Sequence, residues 1–292
     1  MNTIWSKYVQ GINTLYFTRK LRFDDMFAAQ YKALFSLDEE RPLKILEIGC
    51  GPGALAEALH RYYPNAVITA IDRDSEFIRF AKSRKTDINF VEGDATALPF
   101  ADNSFDVTIS NTVSEHIEPS RFYGEQLRVL KPGGVCLVLS ARKGIHVTAD
   151  CLMPCEYEKQ FWDKIQAVDD SMERFSVCRY PMSESELPIA MERYGFHHVR
   201  TGYVAIDLTP DHPKFSPELA HQIINANRLC DLDGIESVFR TLPTHVSSGE
   251  IDKMKQLANA KYDVRIAKYD RGERLWDTNV SITMMVRGEK SI

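Results

Sequence analysis

Glu47-Ile48-Gly49-Cys50-Gly51-Pro52-Gly53 sets a carboxylate two residues ahead of three glycines at alternate positions. Glycines there let the chain turn sharply and let a ligand approach the backbone closely. Asp72 lies 23 residues after Gly49 and closes a second apolar run, Ala66–Ile71. A carboxylate at that place can accept from both hydroxyls of a ribose. Gly49, Gly51 and Ala54 also satisfy G-x-G-x-x-G/A, the dinucleotide fingerprint. Gly53 turns the pattern into G-x-G-x-G, and Glu47 would repel a pyrophosphate. That carboxylate suits a ligand carrying positive charge, an amine or a sulfonium. From this segment alone, nucleoside-plus-cation binding leads, with dinucleotide binding and a structural turn behind it.

Two further clusters follow. Asp94, in Glu92-Gly93-Asp94-Ala95-Thr96, comes 22 residues after Asp72. Its carboxylate can accept from an exocyclic amine while the Ala95 N–H donates to a ring nitrogen, which together read an adenine. An Asp in such a loop is more often a plain turn residue. The run Phe105–Asn111 then leads into Thr112-Val113-Ser114-Glu115-His116. His116 has the pKa range of a general base, although a histidine packing against a ligand or capping a helix is the commoner case. His146, Cys151 and Cys155 fall near one another, but no second ligand pair completes a metal site, so no metal is expected.

These residues need a scaffold that brings them to one edge. From Lys44 to Ser140 apolar runs alternate with amphipathic stretches, as in a doubly wound, mostly parallel sheet. Strands are expected at Lys44–Ile48, Ala66–Asp72, Ile88–Glu92, Phe105–Asn111 and Val135–Ser140, with helices near Ala54–Tyr62, Ser75–Lys82 and Pro119–Leu130. Gly49, Asp72, Asp94 and Asn111 then end the first four strands on the edge where ligands bind in open α/β sheets. Asp72, at that edge, is expected to matter little to fold stability. Farther on, Cys155–Asp170 reads as a helix, and the box Ser183–Glu186 opens another that ends at Gly195. Val199–Thr209 and Val280–Val286 read as an antiparallel pair. Between them Ser216-Pro217 starts one helix and Ser247–Glu250 another, whose stripe Ile251, Met254, Ala258, Tyr262 and Ile266 must bury somewhere.

The ordered set Glu47–Gly53, Ile71-Asp72, Gly93-Asp94-Ala95 with Leu98-Pro99-Phe100, Phe105-Asp106 through Glu115-His116-Ile117, and Leu130-Lys131-Pro132-Gly133-Gly134 resembles the class I S-adenosylmethionine-dependent methyltransferases. The similarity is strongest to their small-molecule-directed, type 11-like branch. It spans about Lys44–Ser140 and is loose beyond. It implies a Rossmann-like, seven-stranded sheet with the last strand antiparallel, and S-adenosyl-L-methionine as cofactor. It further implies that Gly49, Cys50 and Gly51 border the methionine moiety, with Glu47 near its ammonium. Asp72 would hold the ribose, Arg73 would lie beside the adenine, and Asp94 and Ala95 would read its edge. Asn111 and Thr112 would line the sulfonium. A nicotinamide oxidoreductase and a non-catalytic S-adenosylmethionine-binding protein are the competing readings.

The 292 residues, 44% hydrophobic and 26% charged, suit an ordinary globular protein. A formal charge of −5 gives no footprint for nucleic acid, and no Asn-Pro-Pro-Tyr-like motif follows the fourth strand. No uncharged apolar run is long enough for a membrane, so a cytoplasmic location is expected. The partner implied is a small-molecule methyl acceptor, with the oligomeric state open. Three regions are expected: an N-terminal helical lid at 1–42, a cofactor-binding core at 43–209 plus 278–292, and a helical insertion at 210–277 that serves as a cap or a subunit interface.

Overall fold

The computed structural model describes residues 5–292, the Met172 side chain excepted, so the first four residues of the expected lid lie outside it. After a π-helical turn at Trp5–Val9 the chain forms α1 (Ile12–Arg22), α2 (Ala28–Phe35), β1 (Lys44–Ile48), α3 (Ala54–Tyr62), β2 (Val67–Asp72), α4 (Ser75–Ser83) and β3 (Asn89–Glu92). It continues through β4 (Phe105–Asn111), α5 (Pro119–Val129), β5 (Leu130–His146), α6 (Glu156–Gln166), α7 (Ser171–Arg174), α8 (Glu186–Arg193) and β6 (Phe196–Asp207). Two long helices, α9 (Pro217–Thr241) and α10 (Ser248–Asp270), precede β7 (Asn279–Lys290).

The strands make one sheet in the order β3-β2-β1-β4-β5-β7-β6. β7 runs antiparallel to both its neighbours, and the other pairings are parallel. The seven-stranded, mostly parallel sheet with an antiparallel last strand is therefore as expected. Successive strand residues face opposite sides. Ile45, Leu137 and Leu139 join a core with α1 to α4 and the start of α9. Leu46, Cys136 and Val138 join another with α5 and α8.

Several boundaries differ from the sequence expectation, β7 among them, which runs on to Lys290. β5 starts at Leu130, where it pairs with Phe105 of β4, and runs to His146, because β7 keeps pairing with it past a bulge, through Ile145↔Val280 and His146↔Asn279. β6 begins at Phe196 rather than Val199, held by Phe196↔Lys290. α6 stops at Gln166, short of Asp170, where the Asp169 carboxylate accepts from the Ser171 N–H at 2.9 Å and closes a turn.

The expected stripe of α10 is buried within the chain. Ile251, Met254 and Ala258 pack with Phe161 and Ile165 of α6 and with Ile235 and Val238 of α9, and Tyr262 is also buried. Ile266 is only half-buried; Arg265 takes the inward position. Its guanidinium bonds Asp277 and, at 2.9 Å, Asp211, tying α10 to both roots of the insertion. Among the described residues no three His, Cys, Asp or Glu side chains gather as a metal site, and no helix is long and apolar enough to cross a membrane.

Candidate functional site

Strand order reverses beside β1, whose neighbours β2 and β4 lead the chain in opposite directions across the sheet. Such a switch point opens a crevice at the carboxyl ends of the strands. A cavity of about 550 Å³ lies there. All eleven sequence-marked residues line it: Glu47, Gly49, Cys50 and Gly51 after β1, Asp72 and Arg73 after β2, Asp94 and Ala95 after β3, and Asn111, Thr112 and His116 after β4.

The floor is built from backbone. The Gly49 and Cys50 N–H groups donate to the Ile71 carbonyl at 2.8 and 3.0 Å. Gly49 has φ +68°, and a Cβ there would stand 2.4 Å from Val113 Cγ2. Both conditions require glycine. The Gly51 N–H donates to Asp72 Oδ2 at 2.8 Å, and the Asp74 N–H donates to Asp72 Oδ1 at 2.8 Å. Asp72 thus ties two loops together, which corrects the expectation that it matters little to the fold. Each carboxylate oxygen keeps further acceptor capacity.

Glu47 is 2% exposed and its Oε2 has no hydrogen-bond partner. Burial, with Asp72 nearby, raises its pKa well above the usual carboxyl range. Burial raises Asp72 as well. Two neighbouring carboxyls whose pKa values are both raised make a site that gains from an incoming cation. Burial also pushes the Cys50 thiol well up, so it packs as a small apolar group and not as a nucleophile. Asp94 Oδ1 accepts from the Thr96 N–H and hydroxyl, both at 2.8 Å, leaving Oδ2 to face a ligand. Thr112 has φ +54°, and its N–H donates to the Leu139 carbonyl at 2.8 Å.

His116 Nδ1 accepts from the Cys178 N–H at 2.9 Å, so the neutral ring carries its proton on Nε2. Burial foremost holds its pKa below the usual value, so the ring stays neutral at pH 7. The Trp5 ring meets it edge-on with centroids 4.7 Å apart.

Other lining residues carry no spacing signal. Leu15 and Arg19 of α1 reach the cavity, as do Arg179 and Tyr180 beyond α7. The Arg19 Nη2 donates to Thr112 Oγ1 at 2.9 Å. Burial lowers the Arg19 pKa to about 10. The only hint in the sequence was a segment rich in Arg and aromatics. The N-terminal stretch is latched over the cavity: Ser6 donates through N and Oγ to Asp74 at 2.9 and 3.0 Å. The Gly11 N–H donates to Asp233 Oδ2 of α9 at 2.7 Å, and Ser237 Oγ to the Tyr8 carbonyl at 3.1 Å. Tyr16, Phe23, Tyr31 and Phe35 are buried, so α1 and α2 are packed into the body of the fold, and only the cavity-facing side of α1 and the stretch before it can cover a ligand. Among the described residues none from 210–277 lines this cavity; α9 only braces the stretch that does.

Residues 46–138 match the family model described as a methyltransferase domain. Over 98 residues the chain is 43% identical to the demethylmenaquinone methyltransferase of Renibacterium salmoninarum, covering 32% of this chain and 40% of that protein. Over 103 residues it is 41% identical to the fatty-acid O-methyltransferase of Mycolicibacterium smegmatis, covering 34% and 37%. The matched part thus spans about two-fifths of these relatives. A structure of Haemonchus contortus phosphoethanolamine N-methyltransferase 2 in complex with S-adenosyl-L-methionine superposes over 100% of this chain and 60% of that one, with a TM-score of 0.54 and 16% identity. The family match covers the stretch that carries the ordered motifs, and the resemblance drawn from those motifs holds.

Proposed function

We propose that this chain transfers a methyl group from S-adenosyl-L-methionine to a small-molecule acceptor. The observation that carries the reading is the pairing of a buried carboxyl, Glu47, which keeps an unpartnered oxygen, with the half-buried Asp72 around a glycine cradle. An amino-acid ammonium satisfies Glu47, and ribose hydroxyls can donate to Asp72 beside its two backbone bonds. Arg73 would lie along the adenine, with Asp94 Oδ2 and the Ala95 N–H at its edge. Gly49, Cys50 and Gly51 would border the methionine part, and Asn111 and Thr112 its sulfur. When bound, the cofactor supplies a methyl carbon already activated by a sulfonium leaving group.

The chain's own contribution is orientation and exclusion of water. The stretch from Trp5 to Gln10, latched at Asp74 and Asp233, roofs the cavity. His116 is given a positioning role: its neutral ring has only Nε2–H left to offer, a donor that holds the acceptor rather than a base that deprotonates it. Relatives named for acting on menaquinone precursors and fatty acids agree with a small-molecule acceptor.

A thermal-shift panel tests the cofactor. S-Adenosylhomocysteine is expected to raise the melting temperature and nicotinamide dinucleotides to leave it unchanged; the reverse pattern overturns the reading. Incubation with S-adenosylmethionine and a metabolite extract, followed by mass spectrometry, should then reveal a product heavier by one CH2. Cofactor binding with no such product across a broad extract would instead mark a silent binder.

A further inference from the structure

A second cavity, of about 680 Å³, lies under the carboxyl ends of β5 and β6 and the start of β7. Its walls come from α1, α6, α9 and α10, and no residue lines both it and the first cavity. That volume falls in the range of small-molecule sites. Most of the wall is apolar: Leu21, Leu208, Ile223, Ala226, Ile235 and Met254 all contribute. Val147 and Trp162, two apolar side chains left 57% and 38% exposed, also line it, which gives the cavity an apolar rim.

The polar groups in this wall are unequally served. Glu158 receives Lys261 Nζ at 2.5 Å and the Cys155 N–H at 2.9 Å. Asp231 receives the Tyr262 hydroxyl at 2.9 Å, and Asp277 receives Arg265. Asn227 and Asn279 bond each other at 3.2 Å. Arg22 is the exception. Among the described residues it makes no hydrogen bond and no ion pair; the Cys230 thiol, the Tyr31 hydroxyl and the Arg19 guanidinium lie near it. Burial lowers its pKa accordingly, and burial lifts the neighbouring Cys230 thiol to about 11, so that thiol stays neutral and gives the guanidinium no counter-ion at pH 7. Arg22 is half-buried, and its guanidinium, with no partner in the wall, is left to meet an anion; its planar fork suits a carboxylate or phosphate.

We propose that this second cavity binds an apolar molecule ending in a single anionic head, carboxylate or phosphate ester, with Arg22 holding the head and the α9–α10 wall holding the chain. The proposal does not rest on methyl transfer or on what occupies the first cavity.

Titration calorimetry on the full chain tests it, with sodium dodecanoate and dodecyl phosphate as probes below their micellar concentrations. One-to-one binding of at least one of the two is expected, the tighter naming the preferred head. Dodecanol and dodecylamine should bind at least tenfold more weakly. Arg22→Gln should lower the affinity for the anion tenfold or more while Arg22→Lys keeps part of it. Ala226→Phe, which fills the apolar part, should abolish binding in a protein that still melts cooperatively. Asp72→Ala, in the other cavity, should leave the anion's affinity unchanged. The proposal is overturned by any of three results: neither anion binds the folded wild type, dodecanol binds as well as dodecanoate, or Asp72→Ala weakens the anion while Arg22→Gln does not.

Discussion

The two ends of the sheet edge build their cavities by different means. Beside β1, β2 and β4 the wall is main chain and short loops, fixed by Gly49 and Gly51 in the left-handed region and by carbonyls and carboxylates one or two bonds from the strands. Beside β5, β7 and β6 the wall is side chains on four helices, held in place by the α6–α9–α10 core and by the buried Arg265 pairs. A site made of backbone tolerates few substitutions but is specified by a handful of residues. A site made of packed helices tolerates more, and its chemistry can change without disturbing the strands.

The sharpest way to break this contrast is to substitute one residue in each half. Asp72→Ala removes the acceptor for the ribose, and it is expected to cost about 2–4 kcal/mol of S-adenosylhomocysteine binding. It also frees the Gly51 and Asp74 N–H groups, so the apo protein should lose about 1–3 kcal/mol of stability. Ile235→Ala, in the helical core, should cost a comparable ~2–5 kcal/mol of stability and leave cofactor affinity intact. Calorimetry and denaturant titration on both variants check the pair. Equal loss of cofactor affinity in the two would erase the distinction between the halves.

The same contrast explains what could be read from the sequence. Every residue of the first cavity's floor follows a strand end at short range, so glycine spacing and lone carboxylates located it within a few positions. Arg19 and Leu15 were not legible, because they reach the cavity from a helix whose docking depends on Phe23, Tyr31 and Phe35 packing far away in sequence. The capping boxes at Ser247 and Ser183 were visible since both partners lie three residues apart. That Arg265, and not Ile266, would turn inward depended on Asp211 and Asp277, and no periodicity reports such a buried charge pairing. The second cavity has no motif at all; Arg22, which among the described residues makes neither a hydrogen bond nor an ion pair, sits in an ordinary basic stretch at the end of α1.

Protonation supplies a subtler discriminator between the halves. Glu47 keeps its proton well above the ordinary carboxyl range in the apo fold, and the unfolded chain does not. Its contribution to stability is therefore complete below the ordinary glutamate pKa and is lost as pH rises through the raised one. An incoming ammonium favours the ionised carboxylate, so binding should release a proton and S-adenosylhomocysteine affinity should climb by up to about tenfold per pH unit over that window. Glu47→Gln should flatten both trends. Affinity measured from mildly acid to mildly alkaline pH, in two buffers of different ionisation enthalpy, reads the released proton directly. A wild-type affinity that is independent of pH would remove Glu47 from the ammonium. A carboxylate head in the second cavity, already ionised above its own pKa, should show no such rise, because an arginine keeps its charge over that range.

The smallest effect is expected at His116, and its size is the informative part. With Nδ1 accepting from the Cys178 N–H, only Nε2–H remains to meet an acceptor molecule. One positioning hydrogen bond is worth about 0.5–1.5 kcal/mol, or roughly tenfold in rate at most. His116→Gln keeps an N–H near Nε2, whereas His116→Asn keeps only an acceptor near Nδ1 for the Cys178 backbone. The Gln variant should therefore retain more of kcat than the Asn variant, with the pH profile of kcat/KM unchanged in shape for both. A general base would behave otherwise: both variants would fall by about 10²–10⁴ and lose the ionisation on the acid limb. Should that pattern emerge once an acceptor is in hand, the ring must exchange its tautomer during turnover. The loop that carries Cys178 would then have to release Nδ1 before the acceptor is deprotonated.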